Sequence, residues 1–385
     1  MTDQPHPQGL SPFARSISSL FGAPAEAEDA AADQIAPEDV ASDPSPSTES
    51  RGAAPQASSA TGEEAVELKK AVARYLASSE GDARQAAAAE VRERYGAARS
   101  HRLNDAMADA LGALARLGGS RPEAAELGRE LIGPVVASIL AARLAAAAAE
   151  VRSERASSLA LLGDDMVRAV ADMLNGTEDK KARHALIPIL TKMLPCAPDV
   201  TEELVGDDRW YAVRNAVFAI GEARSEAGLQ HLTATIVHPH EKVRRQSVVA
   251  LQKIGGETAQ VLVLGRLEDS DSRVRASAAR ATGALKPGRG VRELTALLER
   301  ETDEDVIAWA CRALGSLGDP VAVPTLERRA AGGLFSKPST AIRVAAFQGL
   351  AAIGTPHAMR LLAFAGNDKD PEVRKVAEAA LRSSD

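Results

Sequence analysis

Three histidines and a glutamate form the densest group of potential metal ligands in this sequence. His238, His240 and Glu241 lie within four residues, and His231 precedes them by one to two helical turns. Imidazole nitrogens and carboxylate oxygens are common zinc ligands. The run His-Pro-His-Glu, however, also suits a turn that enters and caps a helix. The sequence favours this capping role, and we predict neither a metal nor another cofactor.

A glycine-rich segment resembles a phosphate-binding loop only in its spacing. The segment GALKPGRG, residues 283–290, lacks the Lys-Ser or Lys-Thr pair with which such a loop holds phosphate and Mg²⁺. No local pattern of nucleophile and base indicates catalysis elsewhere in the sequence. We therefore expect the protein not to be an enzyme.

Scarce aromatic side chains and cationic side chains are concentrated between residues 209 and 245. The chain has only two Trp and three Tyr, and Trp, Tyr and Arg supply most of the binding energy in protein interfaces. An alternative is that Trp210 and Tyr211 pack at the entry of their helix. The predicted contacts for a protein partner are Arg209, Trp210, Tyr211, Arg214, Asn215, His238, His240, Arg244 and Arg245.

A nucleic acid is the alternative partner for the same region. Residues 207–300 contain 15 Lys and Arg against 11 Asp and Glu, and aromatic rings beside cations suit stacked bases and phosphates. The surplus of four positive charges is modest, and an acidic segment elsewhere in the chain would compete with phosphate. The sequence therefore favours a protein partner, whose identity it does not reveal.

A pattern that recurs about every 31 residues must position these side chains. Aligned on the residue that opens each copy, here called the anchor, the copies begin at Lys181, Ala212, Val243, Val274, Val306, Ile342 and Val373. A small residue follows four positions later, and glycines such as Gly255, Gly283 and Gly354 come where we expect each helix to end. A fixed period of this length indicates helix pairs that bury their apolar faces against neighbouring pairs. The predicted fold is all-α, an α-α superhelix or solenoid.

Aspartate and arginine recur at fixed distances from the anchor. Aspartate three residues before an anchor is placed to cap the first free N–H groups of the helix, and Arg follows most anchors directly. In a regular stack these residues form a ladder between repeats, in which each Arg bonds helix-terminal carbonyls and neighbouring carboxylates. The predicted ladder residues are Asp208, Asp271, Asp303, Asp370, Arg275, Arg343 and Arg374.

The D-x-x-V-R-x-x-A pattern resembles that of HEAT repeats, especially the short bacterial type of phycobilisome-lyase-like proteins. Residues 207–223 and 238–255 carry the resemblance most clearly, and it extends over roughly residues 150–382. The resemblance implies a helical solenoid that acts as a scaffold or adaptor. It leaves a lyase or lyase subunit open as another alternative, because HEAT repeats occur in proteins of several functions.

Composition divides the chain into three parts. Residues 1–62 are rich in Pro, Ser, Ala and acidic residues, which predicts a disordered acidic tail. Within it, residues 10–22 place Leu and Phe on one helical face and could dock in a groove of a partner or of this protein. Residues 63–149 are Ala-rich and are expected to form a helical N-terminal cap region, and residues 150–385 the repeats.

Two further features bear on location and contacts. Two widely separated cysteines suit a reducing compartment, and the start of the chain lacks a signal-peptide pattern, so we expect a cytoplasmic protein without a membrane span. An insertion delays the repeat that opens at Ile342. Its apolar pair, Leu334 and Phe335, is a further predicted partner contact, although packing of the loop on the solenoid is an equal alternative.

We predict that Trp210→Ala combined with Arg214→Ala weakens partner binding, because both side chains belong to the predicted contact cluster. Helical content should stay unchanged. Affinity for a captured partner and circular dichroism of the double variant check this expectation, and unchanged affinity would remove these two residues from the site.

Overall fold

The chain folds into α-helices throughout the residues that the structure, a computed structural model, describes: 59–79, 81–331 and 338–382. The predicted tail up to residue 58, with its segment 10–22, lies outside these residues, as do Leu334 and Phe335. In chain order the helices are α1 Ser59–Ala77, α2 Asp82–Ser100, α3 Asn104–Gly118, α4 Pro122–Leu131, α5 Pro134–Ala146, α6 Ala149–Ala160, α7 Asp164–Gly176, α8 Lys180–Met193, α9 Pro198–Val205, α10 Trp210–Ala223, α11 Leu229–Thr235, α12 Glu241–Ile254, α13 Gly256–Gly265, α14 Ser272–Leu285, α15 Gly290–Arg300, α16 Glu304–Leu317, α17 Val323–Ala331, α18 Thr340–Ile353, α19 Pro356–Ala365 and α20 Pro371–Arg382.

These helices form two compact units, an N-terminal unit that ends at residue 227 and a C-terminal unit that begins at residue 228. Each unit is built of helix pairs. In the C-terminal unit the anchors open α12, α14, α16, α18 and α20, which we call the anchor helices. Each anchor helix contacts the next, and the helices between them lie on the other side of the stack. The all-α architecture predicted from the 31-residue period is confirmed.

Each anchor helix is fixed by a buried apolar stripe and by a cap at its N-terminus. Val243, Val274 and Val306 are fully buried, as are the small residues four positions later. Asp271 accepts hydrogen bonds from the N–H groups of Arg273 and Val274, and Asp303 accepts from those of Asp305 and Val306. These bonds satisfy donors that the first helical turn leaves unpaired.

Glycine allows the anchor helices to touch along their backbones. A Cβ atom added at Gly283 would lie 2.9 Å from Cα of Ala313, and one added at Gly315 would lie 2.6 Å from Cα of Gly349. At Gly349 it would lie 2.6 Å from the carbonyl oxygen of Cys311. Carbon atoms in contact are normally about 3.5–4.0 Å apart. These positions therefore exclude any larger residue unless the helices separate.

The glycines thus divide into two roles, which the sequence pattern did not separate. Gly318 and Gly354 end their helices with φ of 74° and 65°, in the left-handed conformation. Gly283, expected to end its helix, instead lies inside α14, and Lys286 takes the left-handed position with φ of 50°. The reason is steric, because Gly283 is required for the contact with Ala313.

The N-terminal unit repeats a simpler version of the same stacking. Helices α1, α3, α5 and α7 pack in succession. Arg99 donates to the carbonyl oxygen of Leu131 at 2.8 Å, and Arg129 donates to that of Leu161 at 2.9 Å. Each arginine thereby ties a helix to a carbonyl group 32 residues further on. Residues 63–149, where no register was legible in the sequence, are therefore also organised as helix pairs.

Two chemical properties of the described helices complete this picture. Among residues 59–79, 81–331 and 338–382, every helix is too short or too polar to cross a bilayer. Cys196 is exposed and Cys311 is buried, and neither forms a disulfide. Burial raises the pKa of the Cys311 thiol to about 12.

We predict that Gly349→Ala lowers the free energy of unfolding by about 1–3 kcal/mol, because the added methyl group overpacks the contact between α16 and α18. Gly265→Ala is the matched control, since Gly265 is helical and has open space around its Cβ position. That substitution should be neutral or stabilising by up to about 1 kcal/mol. Urea denaturation of both variants measures the difference, and equal stabilities would show that the close approach has no energetic role.

Candidate functional site

Successive repeats of the C-terminal unit are joined by an arginine and a carboxylate. Arg275 donates from Nε and Nη2 to the two carboxylate oxygens of Glu301 at 2.7 and 3.0 Å. Its Nη1 donates to the carbonyl oxygens of Asp269 and Ser270 at 2.9 and 3.2 Å. We call this arrangement the repeat joint. It is bidentate and charge-assisted, the strongest class of side-chain hydrogen bond in proteins.

The same joint occurs at two other places in this unit. Arg244 pairs with Asp269, at 2.9 Å from Nε and 2.7 Å from Nη2. Arg343 pairs with Asp368, where Nη1 lies 3.1 Å from the carboxylate. In each case the Arg directly follows one anchor, and the carboxylate lies five residues before the next. The acid of the joint is therefore not the capping aspartate that the sequence analysis placed in the ladder.

The carboxylate of each joint has a second task. Besides Arg244, Asp269 accepts a hydrogen bond from the backbone N–H of Asp271 at 3.0 Å, and Glu301 accepts one from that of Asp303 at 3.0 Å. It thus supports the capping residue, which in turn caps the helix. The same two hydrogen bonds occur at Asp370. Its backbone N–H donates to the carboxylate of Asp368, and its side chain accepts from the N–H of Glu372.

Burial and hydrogen bonding act in opposite directions on these acids. The side chains of Asp269 and Glu301 are only 2% and 4% exposed. Burial by itself raises the pKa of each carboxyl, but the hydrogen bonds from arginine and from backbone N–H groups outweigh it and hold the pKa below its ordinary value. Both groups are therefore charged at neutral pH and paired within the fold.

Arg244, one of the predicted partner contacts, is engaged within the fold by this joint. Its five N–H groups are all engaged, two by Asp269, two by the carbonyl oxygens of His238 and Pro239, and one by Ser270 Oγ. No donor is left for another molecule.

Arg374, at the last anchor, makes only the bonds to carbonyl oxygens in the described residues. It donates to the carbonyl oxygens of Asp368 and Lys369 at 2.7 and 3.0 Å.

The role predicted for Asp208 in the ladder is filled by the preceding residue, Asp207. Asp207 accepts from the backbone N–H of Arg209 at 2.7 Å and pairs with the Arg209 guanidinium, also at 2.7 Å. Asp208 is exposed. The reason is register, because Asp207 lies five residues before the anchor Ala212, at the position that the joint carboxylates occupy.

His238 and His240 act as caps through their ring nitrogens. His238 Nδ1 accepts from the N–H of His240 at 3.0 Å, and His240 Nδ1 accepts from the N–H of Lys242 at 3.2 Å. Burial, with a smaller contribution from the charge of Arg244, lowers the pKa of His238, so its ring is neutral at pH 7. In the described part of the chain, no group of three potential ligands is arranged to hold a metal ion.

The predicted contact residues of the N-terminal unit lie at two places along α10. Trp210 and Tyr211 lie at the start of α10 with their rings at 86° and 6.1 Å apart, and Arg209 lies 5.8 Å from the Tyr211 ring. Arg214 and Asn215 lie further along the helix. Asn215 donates to Asn175 at 3.0 Å, and burial followed by the charge of Arg183 lowers the pKa of Arg214.

A tryptophan contacted by two arginines lies on the anchor helices of the C-terminal unit, and sequence reasoning missed it. The guanidinium carbons of Arg280 and Arg312 lie 5.7 and 5.3 Å from the centre of the Trp309 ring. Arg312 also donates from Nε to Gln348 at 2.8 Å. These residues come from α14, α16 and α18, and we call them the Trp309 cluster.

Neither arginine of this cluster is neutralised. Within the described ranges, no carboxylate oxygen lies within 4.0 Å of the guanidinium of Arg280 or Arg312. Burial lowers the pKa of Arg312, although Arg remains protonated in proteins. Helices α12, α14, α16 and α18 contain no Asp or Glu beyond their first turns. The surface around the Trp309 cluster is therefore cationic.

Comparisons with known proteins agree with this architecture. The stacked helix pairs place this chain in the class of helical repeat proteins. The family model of HEAT repeats matches residues 197–283, 259–333 and 291–382. Residues 197–382 therefore match the model of HEAT repeats, which confirms the resemblance noted in the sequence. The curated proteins gave no match.

Solved structures similar to this chain are helical repeat proteins, at low identity. An engineered protein is 19% identical and has a TM-score of 0.37 over 82% of this chain and 98% of its own. Kap121p bound to Nup53p is 13% identical, with a TM-score of 0.47 over 82% of this chain and 39% of its own. The complex of CpcE and CpcF of phycocyanin lyase from Nostoc sp. PCC7120 is 18% identical, with a TM-score of 0.32 over 66% and 95%. Likenesses this weak carry no argument about function.

We predict that Arg275→Gln destabilises the protein by about 3–5 kcal/mol at pH 7, because Glu301 then stays buried without its partner. The pKa of Glu301 is lower in the folded chain than in the unfolded chain, where it is about 4.3. Its stabilising contribution is thus present above that value and is lost as the pH falls through the folded-state pKa. The difference between wild type and variant should shrink towards pH 3.

Urea denaturation at pH 7 and pH 3 tests this expectation. Arg292→Gln is the control, because Arg292 is 72% exposed and pairs, among the described residues, only with the neighbouring Glu293. It should change stability by less than about 1 kcal/mol. An equal effect of the two substitutions, or a difference that is independent of pH, would contradict the structural role of the joint.

Proposed function

We propose that this protein is a non-enzymatic scaffold that binds an acidic segment of a partner protein on the anchor helices of its C-terminal unit. The observation that carries the proposal is the Trp309 cluster, in which Arg280 and Arg312 contact an aromatic ring and have no carboxylate partner among the described residues. Trp and Arg are the residues most enriched at interface hot spots. A cationic face favours an acidic partner.

The geometry of the cluster suits carboxylate recognition. A guanidinium that stacks on an aromatic ring keeps its N–H groups in the plane of the fork, where a carboxylate can accept two of them. Gln348 holds Arg312 through Nε, which leaves the Nη groups for such a bond. Because the ring and Gln348 already restrict these side chains, little conformational entropy is lost when a partner binds.

The joints support this function without taking part in it. They use Arg244, Arg275 and Arg343 to fix the spacing of successive anchor helices. Side chains on those helices are thereby displayed at fixed distances before a partner arrives, which is how repeat proteins present extended binding surfaces. The apolar pair Leu334 and Phe335, between α17 and α18, stays a proposed contact in the same unit.

A second proposed contact lies in the N-terminal unit. Tyr211 is exposed and stands beside Trp210 and Arg209 at the start of α10. An exposed aromatic ring next to a cation suits a polar-aromatic contact with a protein. A reducing, cytoplasmic location also belongs to this proposal, and it is supported by two cysteines that form no disulfide.

Nucleic acid is the second candidate for the Trp309 cluster. A base can stack on an aromatic ring while flanking arginines contact phosphates. The cluster would then recognise anions in both cases, the carboxylates of a protein or the phosphates of a nucleic acid. Sensitivity of the captured partner to nuclease distinguishes the two.

We expect Arg280→Ala combined with Arg312→Ala to abolish capture of the partner by the full-length protein. Truncation of interface hot spots typically costs at least about 2 kcal/mol each, a loss of thirtyfold or more in affinity. The measurement is a pull-down with and without nuclease, with the bound proteins identified by mass spectrometry.

Arg292→Ala with Arg300→Ala is the matched control, because both arginines are at least half-exposed and lie on α15, outside the anchor helices. It should retain the partner. Retention of the same nuclease-resistant protein by the Arg280/Arg312 variant would refute the site. Recovery of nucleic acid, with proteins that disappear after nuclease, would establish the second candidate instead.

A further inference from the structure

An open groove of about 750 Å³ lies in the N-terminal unit, and nothing in the preceding sections uses it. Helices α1, α3, α5 and α6 line it. Its surface is mainly apolar, with Val66 and Leu76 from α1, Leu140 and Leu144 from α5, and Leu159 from α6, over alanines and a glycine of α3. The volume lies within the range of binding clefts, about 300–1,000 Å³.

Cations surround this apolar surface. Lys69, Arg116 and Arg155 line the groove, and within the described residues none of them has a carboxylate within 4.0 Å. Arg143 is the exception, since it pairs with Asp105 and Asp109 at 2.6 and 2.8 Å. An apolar cleft with three unpaired cations at its edge fits an occupant that is apolar and is followed or preceded by negative charge.

The chain outside the structure begins at the wall of this groove. The described residues start at Ser59, the first residue of α1, and Ala65 already lines the groove. Six residues of helix span about 9 Å. Residues 1–58 therefore emerge close to the groove that they would have to reach.

These residues have the composition that the groove requires. Residues 10–22, LSPFARSISSLFG, place Leu10, Phe13, Ile17, Leu20 and Phe21 on one helical face. Residues 23–58 follow with eight acidic residues and one basic residue, a net charge of −7. We propose that the apolar face of residues 10–22 docks in the groove, and that the acidic stretch pairs with Lys69, Arg116 and Arg155.

The connection between the two parts favours docking within one chain. A random-coil chain of 36 residues, the length of segment 23–58, has a typical end-to-end distance of about 30–36 Å. Its effective concentration at the groove is of the order of millimolar. A weak contact between residues 10–22 and the groove therefore suffices for occupancy. This inference is independent of the Trp309 cluster and of the proposed function.

Photo-crosslinking in the full-length protein tests the proposal. We would replace Phe13 by p-benzoylphenylalanine, irradiate the purified protein and map the crosslinks by mass spectrometry. The expected result is crosslinks within one chain to groove residues of α1, α3, α5 or α6. Crosslinks spread over the surface, or confined to other helices, would overturn the proposal.

A charge-reversal variant tests the contribution of the cations. Arg116→Glu combined with Arg155→Glu should lower the crosslinking yield about tenfold, because attraction becomes repulsion at two exposed positions. Lys180→Glu with Lys192→Glu is the control of equal charge change, on exposed positions of α8 outside the groove. It should leave the yield unchanged. An equal fall in crosslinking yield in both variants would show that net charge alone causes the loss, and would overturn the assignment of the groove.

Other occupants give different results in the same experiment. Crosslinks between two chains at nanomolar protein concentration would assign the groove to the segment of a second copy. Crosslinks only after addition of cell extract would assign residues 10–22 to a separate partner. Both overturn docking within one chain. The variant with Arg280→Ala and Arg312→Ala should crosslink normally, so failure of the proposed function leaves this inference standing.

Discussion

A buried carboxylate shared between an arginine and a backbone N–H group is the interaction on which the C-terminal unit depends. Glu301 shows the arrangement most completely, since it binds Arg275 of the preceding repeat and supports the capping residue Asp303 of its own. One acid thus fixes both the start of a helix and its distance from the helix before it. Because charge buried in this way requires all its partners, the spacing of repeats is set by polar geometry as well as by apolar packing.

The sequence predicted the fold well because helix pairs leave local signals. The 31-residue period, the buried anchors such as Val274 and the capping Asp271 all depend on residues close together in the chain. Glycine was harder to interpret. Gly283 lies nine residues after its anchor and Gly354 twelve residues after its own, and one is required by a neighbouring helix while the other is required by backbone conformation. The packing shows which requirement belongs to which position.

The candidate site was predicted less well, and the reason is again the range of the contacts. The carboxylates of the joints recur five residues before the anchors, so the sequence alone contains Asp269 and Glu301 as a second recurring acidic position beside the capping aspartates. The Trp309 cluster has no such recurring pattern. Arg280 and Trp309 are 29 residues apart, and their contact depends on how α14 and α16 align. A dense local group of histidines drew more attention, although His238 and His240 cap a helix.

The joint between repeats also has a consequence for how such a chain can evolve. Each repeat contributes an arginine to the joint with the repeat after it and a carboxylate to the joint with the repeat before it. A segment that duplicates in register therefore extends along the chain from one arginine to the next carboxylate. Substitutions at the two positions are tolerated best when they occur together. Between the anchors of the C-terminal unit, one junction has both positions replaced, since Ile307 follows the anchor Val306 and Lys337, instead of an acid, lies five residues before Ile342. At that junction the glycine contact between α16 and α18 brings the two helices together.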